Sequence, residues 1–375
     1  MARHFFSASD SSSTTVFTDR SWLAYCADEL DRGLPLLRRS GFRLDAAQVH
    51  LGGERFLTAA VRKLVLTGER ERDGMRVVMK ISSREDGIRE IEQERSVRAL
   101  LEELDFTTSG VFWSQEIFFE KRDGFTISAT SYIEQDLPFT DRSLDQQFTM
   151  AVRGLDAQSA VQLRTHPAAA AIESTLGVDA RPKYLASFAG NCEVAKSRCP
   201  ERHRMLAVIH EASELFTNGA SIAAPYLGFL THTDFVPHNF RISDRKFFLL
   251  DLASIRIGNK HESWARFVNN ALFSSRDLEQ AMIRRVRVTE GEAAYANLRL
   301  MRIYKGIFLL QIFARSLDVT TGNLHLLCEK RVTFWTEILA AILADMPVAA
   351  ELVADFVRER DALRSAEEYR RRERM

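Results

Sequence analysis

The sequence predicts a two-lobed α+β fold, in which a small antiparallel sheet with one helix precedes a larger and mostly helical lobe. Residues 48–133 contain short apolar runs that are separated by turn sequences and interrupted by one helical pattern. After residue 140 the apolar periodicity is helical, except in the stretch 226–255. Such an order favours two packed units with a crevice between them, which is where ligand sites commonly form.

The composition is that of an ordinary globular protein. The 375 residues include 51 Lys and Arg and 51 Asp and Glu, which leaves a net charge of zero and argues against a nucleic-acid partner. The four cysteines are too few and too scattered for a disulfide framework. No uninterrupted apolar run reaches the roughly 20 residues that span a bilayer. We therefore expect a cytoplasmic protein without an integral membrane segment, of unknown oligomeric state.

The elements divide the chain into three parts. Residues 1–45 hold an N-terminal extension and a helix from Ser21 to Gly41 that Pro35 is expected to kink or split. Residues 46–135 form the sheet lobe and residues 136–375 the helical lobe. Within the sheet lobe a helix is predicted over 86–104. The strands are predicted over 48–53, 59–68, 76–82, 111–119 and 125–133.

The most informative stretch is THTDFVPHNF followed by LLDLAS. It places His232, Asp234, Asn239 and Asp251 in the pattern H-x-D-x4-N, with an apolar strand that ends in aspartate. Pro237 tightens the loop, so the oxygens of Asp234 and Asn239 can face one point, and the strand delivers Asp251 to the same region. The carbonyl of Asn239 and the carboxylate of Asp251 are hard oxygen ligands suited to Mg²⁺. A second carboxylate beside the metal can orient or receive the proton of a hydroxyl group.

This stretch resembles the catalytic loop of the protein-kinase-like fold, and most closely that of the aminoglycoside/choline-type small-molecule phosphotransferases. Their loop reads approximately H-G-D-x-x-P-x-N. Here Thr233 replaces the glycine, and Val236 stands where protein Ser/Thr kinases have a lysine, which favours a small-molecule kinase. The resemblance implies ATP and Mg²⁺ as cofactors, Asp234 as the catalytic residue, and Asn239 and Asp251 as metal ligands. His232 is assigned to the catalytic loop, where bracing by hydrogen bonds is favoured over proton transfer.

The first lobe contains a second part of the resemblance. Lys80, one of only nine lysines, lies in the apolar run VVMKIS and resembles the kinase lysine that holds the nucleotide phosphates. The fold then needs a glutamate on the next helix to hold that lysine. Glu94 shares the apolar face of this helix, Glu90 lies one turn earlier and is the second choice, and Glu92 points elsewhere.

Two further nucleotide contacts are implied. Gly52 and Gly53 form a turn that could cover the phosphates, although the kinase G-x-G-x-x-G is not present. The segment SYIEQDL occupies the hinge position, so backbone groups from Tyr132 to Glu134 would bind adenine.

The function predicted from this resemblance is ATP- and Mg-dependent phosphoryl transfer to a hydroxyl group. Two alternatives stay open: a catalytically silent module of the same fold that binds a nucleotide or a partner, and transfer of AMP. The acceptor is a small molecule or glycan, such as an aminoglycoside, an amino alcohol or a sugar. Asp141, Glu262 and Arg266 are candidate pocket residues. The basic run containing Arg256, Lys260 and Arg266 also resembles that of bacterial lipopolysaccharide-sugar kinases, whose acceptor is anionic.

Overall fold

The computed structural model describes residues 19–48, 51 and 62–372. It confirms the predicted arrangement, a small antiparallel sheet lobe followed by a larger helical lobe. Gly52 and Gly53 lie outside the described residues.

The sheet of the first lobe has the strand order β1–β2–β3–β6–β5, and all of its neighbouring strands are antiparallel. The strands met along this part of the chain are β1 (Phe42–Leu44), β2 (Leu64–Arg70), β3 (Met75–Ser82), β4 (Val111–Phe112), β5 (Glu116–Arg122) and β6 (Phe125–Ser131). Lys80 of β3 lies directly opposite Val65 of β2 and Ser128 of β6. The centre of the sheet therefore presents Lys80 on one of its faces.

The prediction of a strand over 48–53 was wrong where the structure describes that stretch, because Gln48 and Leu51 lie outside any strand. The first strand is instead β1, which precedes them. The side-chain amide of Gln48 donates a hydrogen bond to the carbonyl oxygen of Thr67 and accepts one from its N–H, both at 2.9 Å. The same carbonyl oxygen also accepts a backbone hydrogen bond of 3.0 Å from the N–H of Asp45, so the Gln48 amide extends the pairing of β1 with β2 and satisfies the N–H of Thr67.

Helix α1 (Asp19–Arg39) covers one face of this sheet. It is continuous through Pro35, so the predicted kink does not divide it. The helix lies close to the sheet at Gly33, where a Cβ atom would lie 2.7 Å from Cδ1 of Ile81. Trp22 and Leu37 of the helix share an apolar cluster with alternate residues of β3, namely Val77, Met79 and Ile81. This packing turns Lys80 toward the opposite face, since neighbouring strand residues point to opposite sides.

Helix α2 (Glu85–Glu103), predicted over 86–104, follows β3 and lies on the face that carries Lys80. After it, the predicted strand 111–119 proved to be two strands. β5 remains in the first sheet, but β4 pairs in parallel with a strand of the second lobe, where Val111 lies opposite Phe247. Gly110, whose φ is +77°, makes the turn before β4. Residues 111–112 therefore join the two lobes before the predicted connector at 134–139.

The second lobe is mostly helical. Its helices are α3 (Leu144–Ser159), α4 (Ala169–Leu176), α5 (Arg181–Arg198), α6 (His203–Asn218), α7 (Ala220–Ala223), α8 (Glu262–Ala271), α9 (Arg276–Glu290), α10 (Glu292–Ser316), α11 (Gly322–Leu343) and α12 (Ala350–Arg372). α3 and α6 correspond to predicted helices, whereas α4 and α5 were not predicted. A capping box formed by Ser143 and Gln146 fixes the start of α3.

Short strands in the predicted stretch 226–255 position the loops of interest. They are β7 (Leu227–His232), β8 (Phe240–Ser243), β9 (Lys246–Leu249) and β10 (Ile255–Asn259). β8 and β9 form a hairpin, while β7 pairs with β10 so that His232 lies opposite Ile255. The loop after β7 and the loop after β9 therefore emerge next to each other. No helix in the described part of the chain is long and apolar enough to cross a membrane.

Candidate active site

The ammonium of Lys80 forms an ion pair with the carboxylate of Glu94 on α2. Burial lowers the pKa of Lys80, but the carboxylates of Glu94 and Asp251 outweigh burial and leave the pKa raised. Burial likewise raises the pKa of Glu94, and the charge of Lys80 more than offsets it. Both groups are therefore ionised at neutral pH, and Asp251 lies close enough to interact with the lysine.

Arg98 braces Glu94 from one helical turn further along α2. Its side chain is 4% exposed, and its Nη2 lies 3.4 Å from Oε1 of Glu94. Its Nε donates a hydrogen bond of 3.2 Å to the carbonyl oxygen of Ser114, and its Nη1 lies 3.6 Å from Oε2 of Glu116. The guanidinium thus fixes the carboxylate that pairs with Lys80, and sequence reasoning missed it.

The loop after β7 is tied together by the side chain of Asn239. Its Nδ2 donates hydrogen bonds to the backbone oxygen of Asp234 at 2.9 Å and to Oδ2 of Asp234 at 2.8 Å. A one-turn 3₁₀ helix, Pro237–Asn239, brings the two residues together, as the spacing and Pro237 suggested. Among the described residues, Oδ1 of Asn239 accepts no hydrogen bond, which leaves it available to a ligand.

Asp234 also contacts Arg266 of α8, whose Nε donates a hydrogen bond of 2.7 Å to Oδ1. Burial raises the pKa of Asp234, but the charge of Arg266 outweighs it and the pKa is lowered. The Asp234 side chain remains 39% exposed, so a ligand can reach it. Val236 is fully buried, so a lysine at that loop position would have to bury its ammonium. The cation beside Asp234 comes from a helix instead.

His232 is fully buried and acts as a brace of the loop. Its backbone N–H donates to Oε1 of Gln158 at 2.8 Å and to Oγ of Ser263 at 2.9 Å, and its Nε2 lies 2.9 Å from the carbonyl oxygen of Leu250. Leu250 immediately precedes Asp251. The imidazole therefore connects the loop of Asp234 with the loop of Asp251, which is a positioning role.

Asp251 follows β9 in a left-handed backbone conformation, with φ 52° and ψ 54°. That region is unfavourable for a residue with a side chain and is found preferentially at functional sites. Its Oδ2 accepts a hydrogen bond of 2.6 Å from Ser254, while Oδ1 accepts none within the described ranges. Burial raises the pKa of Asp251, but the charges of Lys80 and then Lys63 outweigh it, so the pKa is lowered and the group is a carboxylate.

At the predicted hinge, some backbone N–H groups donate hydrogen bonds within the described structure and others do not. The N–H of Tyr132 donates to the carbonyl oxygen of Arg76 at 3.0 Å, and the guanidinium of Arg76 lies 4.5 Å from the centre of the Tyr132 ring. Oε1 of Glu134 lies 3.7 Å from Nη1 of Arg76. The N–H of Tyr132 is therefore occupied. The amides of Ile133 and Glu134 make no hydrogen bond within the described residues, and they remain the candidates for adenine.

Only one residue of the predicted basic run reaches the loop of Asp234, and that residue is Arg266. Arg256 donates to backbone carbonyl groups, and Lys260 forms an ion pair with Glu290. Burial raises the pKa of Glu290, but contacts with His261 and Lys260 outweigh burial and lower it to about 2.

Glu262, one of the candidate pocket residues, is almost completely buried. It binds Lys305 and the hydroxyl of Tyr184, both at 2.5 Å. It is therefore part of the interior of the second lobe and does not line an acceptor pocket.

Sequence reasoning also missed Lys63. The structure pairs the second-choice glutamate, Glu90, with Lys63 instead of Lys80. The sequence did contain a signal that α2 carries a row of charged residues on one face. Glu90, Glu94 and Arg98 follow one another at four-residue spacing, which places all three on that face.

No protein-family model and no curated protein matches the sequence, but solved structures match its fold. A thermostable mutant of aminoglycoside phosphotransferase APH(4)-Ia in its apo form matches with 15% identity and a TM-score of 0.56, over 83% of this chain and 97% of that chain. A ternary complex of this enzyme with ADP and hygromycin B matches with 14% identity and a TM-score of 0.55, over the same shares. The GDP and kanamycin complex of APH(2'')-IIIa matches with 12% identity and a TM-score of 0.56, over 84% and 99%. The chain therefore has the protein-kinase-like fold of the aminoglycoside phosphotransferases, as predicted.

Proposed function

We propose that this protein transfers the γ-phosphate of ATP to a hydroxyl group of a small molecule or glycan. The observation that carries the proposal is the convergence of the Lys80–Glu94 pair with the carboxylate of Asp251, beside the loop of Asp234 and Asn239. The match to enzymes crystallised with ADP or GDP and with hygromycin B or kanamycin supports it. Identity of 12–14% to these enzymes leaves the acceptor open.

The phosphate-binding role is assigned to Lys80. Its ammonium is held by Glu94 and is ionised, so it can neutralise the phosphates of a nucleotide without first being protonated. The amides of Ile133 and Glu134, which make no hydrogen bond to any residue in the described ranges, are the proposed donors to adenine. Gly52 and Gly53 keep their predicted role as a cover over the phosphates.

Asn239 and Asp251 fit a Mg²⁺ ion by the chemistry of their free oxygens. Asn239 donates through Nδ2 to Asp234, and Asp251 accepts through Oδ2 from Ser254. The Oδ1 atom of each accepts no hydrogen bond from the residues that the structure describes, so both are open to a metal ion. Carboxylate and amide oxygens are ligands that Mg²⁺ accepts. A bound Mg²⁺ would neutralise charge on the phosphates. Removal of divalent cations should then abolish transfer.

Asp234 is the proposed partner of the acceptor hydroxyl. It is a carboxylate at neutral pH, and hydrogen bonds from Asn239 and Arg266 fix its orientation. A carboxylate of lowered pKa is a weak base, so its main contribution is to orient the hydroxyl and to receive its proton as transfer proceeds. Positioning and charge neutralisation then provide most of the rate.

The experiment measures phosphate transfer from labelled ATP to aminoglycosides, amino alcohols, sugars and lipopolysaccharide cores, with thermal shift by Mg-ATP as the binding assay. The variant Asp234→Asn should lose transfer by about 100-fold or more, the usual size of acid–base contributions, while it still binds Mg-ATP. Asp156→Asn is the matched control, since Asp156 is also paired with an arginine of the second lobe, Arg285 at 3.3 Å, but is exposed. Unchanged turnover in Asp234→Asn would refute the assignment.

The same experiment distinguishes the alternatives. A binding module would show the thermal shift but no consumption of ATP with any acceptor. Transfer of AMP would give a product whose mass has increased by an adenylyl group instead of a phosphoryl group.

A further inference from the structure

A second lysine, like Lys80, forms an ion pair with a glutamate of α2. Lys63 immediately precedes β2, its side chain is 8% exposed, and its ammonium forms an ion pair with Oε1 of Glu90 on α2. A buried ion pair contributes little net stability, because desolvation of two charges offsets their attraction. Anchoring of α2 therefore does not explain why the Lys63 ammonium is buried at this position.

The pair Lys63–Glu90 repeats the geometry of the pair Lys80–Glu94. Glu90 and Glu94 are four residues apart and so lie on the same face of α2, one turn apart. Val65 lies directly opposite Lys80 in the sheet, and Lys63 precedes Val65 by two residues, which directs both side chains to one face. Lys80 of β3 and Lys63 just before β2 thus each direct an ammonium toward the same helix face.

The two lysines contact adjacent turns of one helix. Lys80 forms an ion pair with Glu94, and Lys63 forms one with Glu90, one turn earlier on the same face of α2. Lys63 is therefore beside the proposed phosphate-binding lysine and not at a remote edge of the sheet. A polyphosphate held by Lys80 would pass close to both lysines.

We propose that Lys63, held by Glu90, is a second phosphate-binding ammonium, which binds the nucleotide's phosphate chain together with Lys80. This inference rests on the proposed function. It assigns to the cleft two point charges that match a triphosphate better than a single lysine does.

The test compares the affinities for Mg-AMP-PNP and Mg-ADP, measured by calorimetry, in three lysine variants. Lys63→Met should weaken Mg-AMP-PNP binding about tenfold or more, the effect of ~1.4 kcal/mol, and Lys80→Met should do the same. Lys121→Met is the matched control, because Lys121 pairs with Glu92 on the same helix but is 60% exposed. It should change the affinity less than twofold.

Three conservative variants, one of them a control, separate binding from a structural role. Lys63→Arg keeps the charge and should restore most of the affinity that Lys63→Met loses. Glu90→Gln should weaken nucleotide binding, whereas Glu92→Gln should not. Equal affinities in the wild type and in Lys63→Met would overturn the inference.

A labelling experiment uses the wild-type chain and is therefore independent of whether Lys63→Met folds. In an ATP acyl phosphate, a nearby lysine amine attacks the acyl carbon, an amide forms, and ATP leaves as the mixed anhydride bond breaks. Mass spectrometry should find the acyl group on Lys63 and Lys80 and not on Lys121. Labelling of Lys80 without Lys63 would remove the inference and keep the proposed function. Absence of any nucleotide binding to the wild type would remove both.

Discussion

Arg98 should be among the most sensitive positions of the first lobe, although sequence reasoning gave it no role. Replacing it by methionine keeps the length of the side chain but removes the guanidinium from a site that is 4% exposed. The carboxylate of Glu94 then loses a buried partner, and the carbonyl oxygen of Ser114 loses its hydrogen bond of 3.2 Å. Glu94 keeps Lys80 as a partner, so the variant does not leave an unpaired buried charge. A lost hydrogen bond that involves a charged group costs about 1.5–3 kcal/mol, and we expect the free energy of unfolding to fall by that amount in Arg98→Met.

Arg95 provides a control that differs mainly in burial. Its Nε binds the carboxylate of Glu116 at 3.0 Å, the same group that Arg98 approaches, but its side chain is 50% exposed. It also lies over the ring of Phe119 at 4.2 Å. Exposed pairs and exposed cation–π contacts each contribute up to about 1 kcal/mol. Arg95→Met should therefore lower the free energy of unfolding by about 1 kcal/mol.

Urea denaturation of the wild type and both variants measures the difference, and calorimetry with Mg-AMP-PNP measures the effect on the site. Arg98→Met should weaken nucleotide binding as well, because Glu94 no longer has a fixed orientation toward Lys80. Arg98→Lys, which keeps a charge but loses the planar fork, should be intermediate. If both methionine variants lost the same stability and kept the same affinity, the idea that Arg98 orients Glu94 would be untenable.

Two further effects follow from packing and from ionisation. A Cβ atom at Gly154 would lie 2.8 Å from Cζ of Phe247, so Gly154→Ala should lower the free energy of unfolding by about 1–3 kcal/mol. A Cβ atom at Gly190 would meet no described atom outside its own helix backbone within 4 Å, so Gly190→Ala should raise the free energy of unfolding by about 0.5–1 kcal/mol in the same urea assay. Glu290, with a pKa of about 2 instead of 4.5, stabilises the fold above pH 4.5 by up to about 3 kcal/mol, and this contribution is lost as the pH falls toward 2. Denaturation at several pH values should show a shallower acid slope in Glu290→Gln, and an unchanged slope would contradict the low pKa.

The sequence predicted correctly those contacts that follow from a local sequence pattern. Asp234 and Asn239 are five residues apart with a proline between them, and their contact follows from that spacing. Lys80 was identifiable because an ammonium in an apolar strand needs a partner. The pairing of Glu94 with this lysine followed from the apolar phase of α2.

The residues that were missed depend on contacts between distant segments. Lys63 lies within the predicted strand 59–68, but only the packing of the sheet on α2 gives it Glu90 as a partner. Gln48 lies in a stretch predicted as a strand, and its side chain performs the pairing instead of its backbone. The split of the predicted strand 111–119 also required the second lobe, since β4 finds its partner in β9. In each of these examples the local sequence pattern was ambiguous, and contacts with distant segments determined the structure.

Helix α2 positions the charged groups around Lys63 and Lys80 through three of its residues, Glu90, Glu94 and Arg98. Four residues of α-helix rise ~6 Å, so the three side chains form a row along one face of the helix. Each belongs to a different contact: one to Lys63, one to Lys80, and one to the carbonyl oxygen of Ser114 beside β5. A shift of α2 along its axis would lengthen all three contacts together. The two lysines would then lose their partners at once, and, under the proposed function, neutralisation of the nucleotide phosphates depends on the position of one helix.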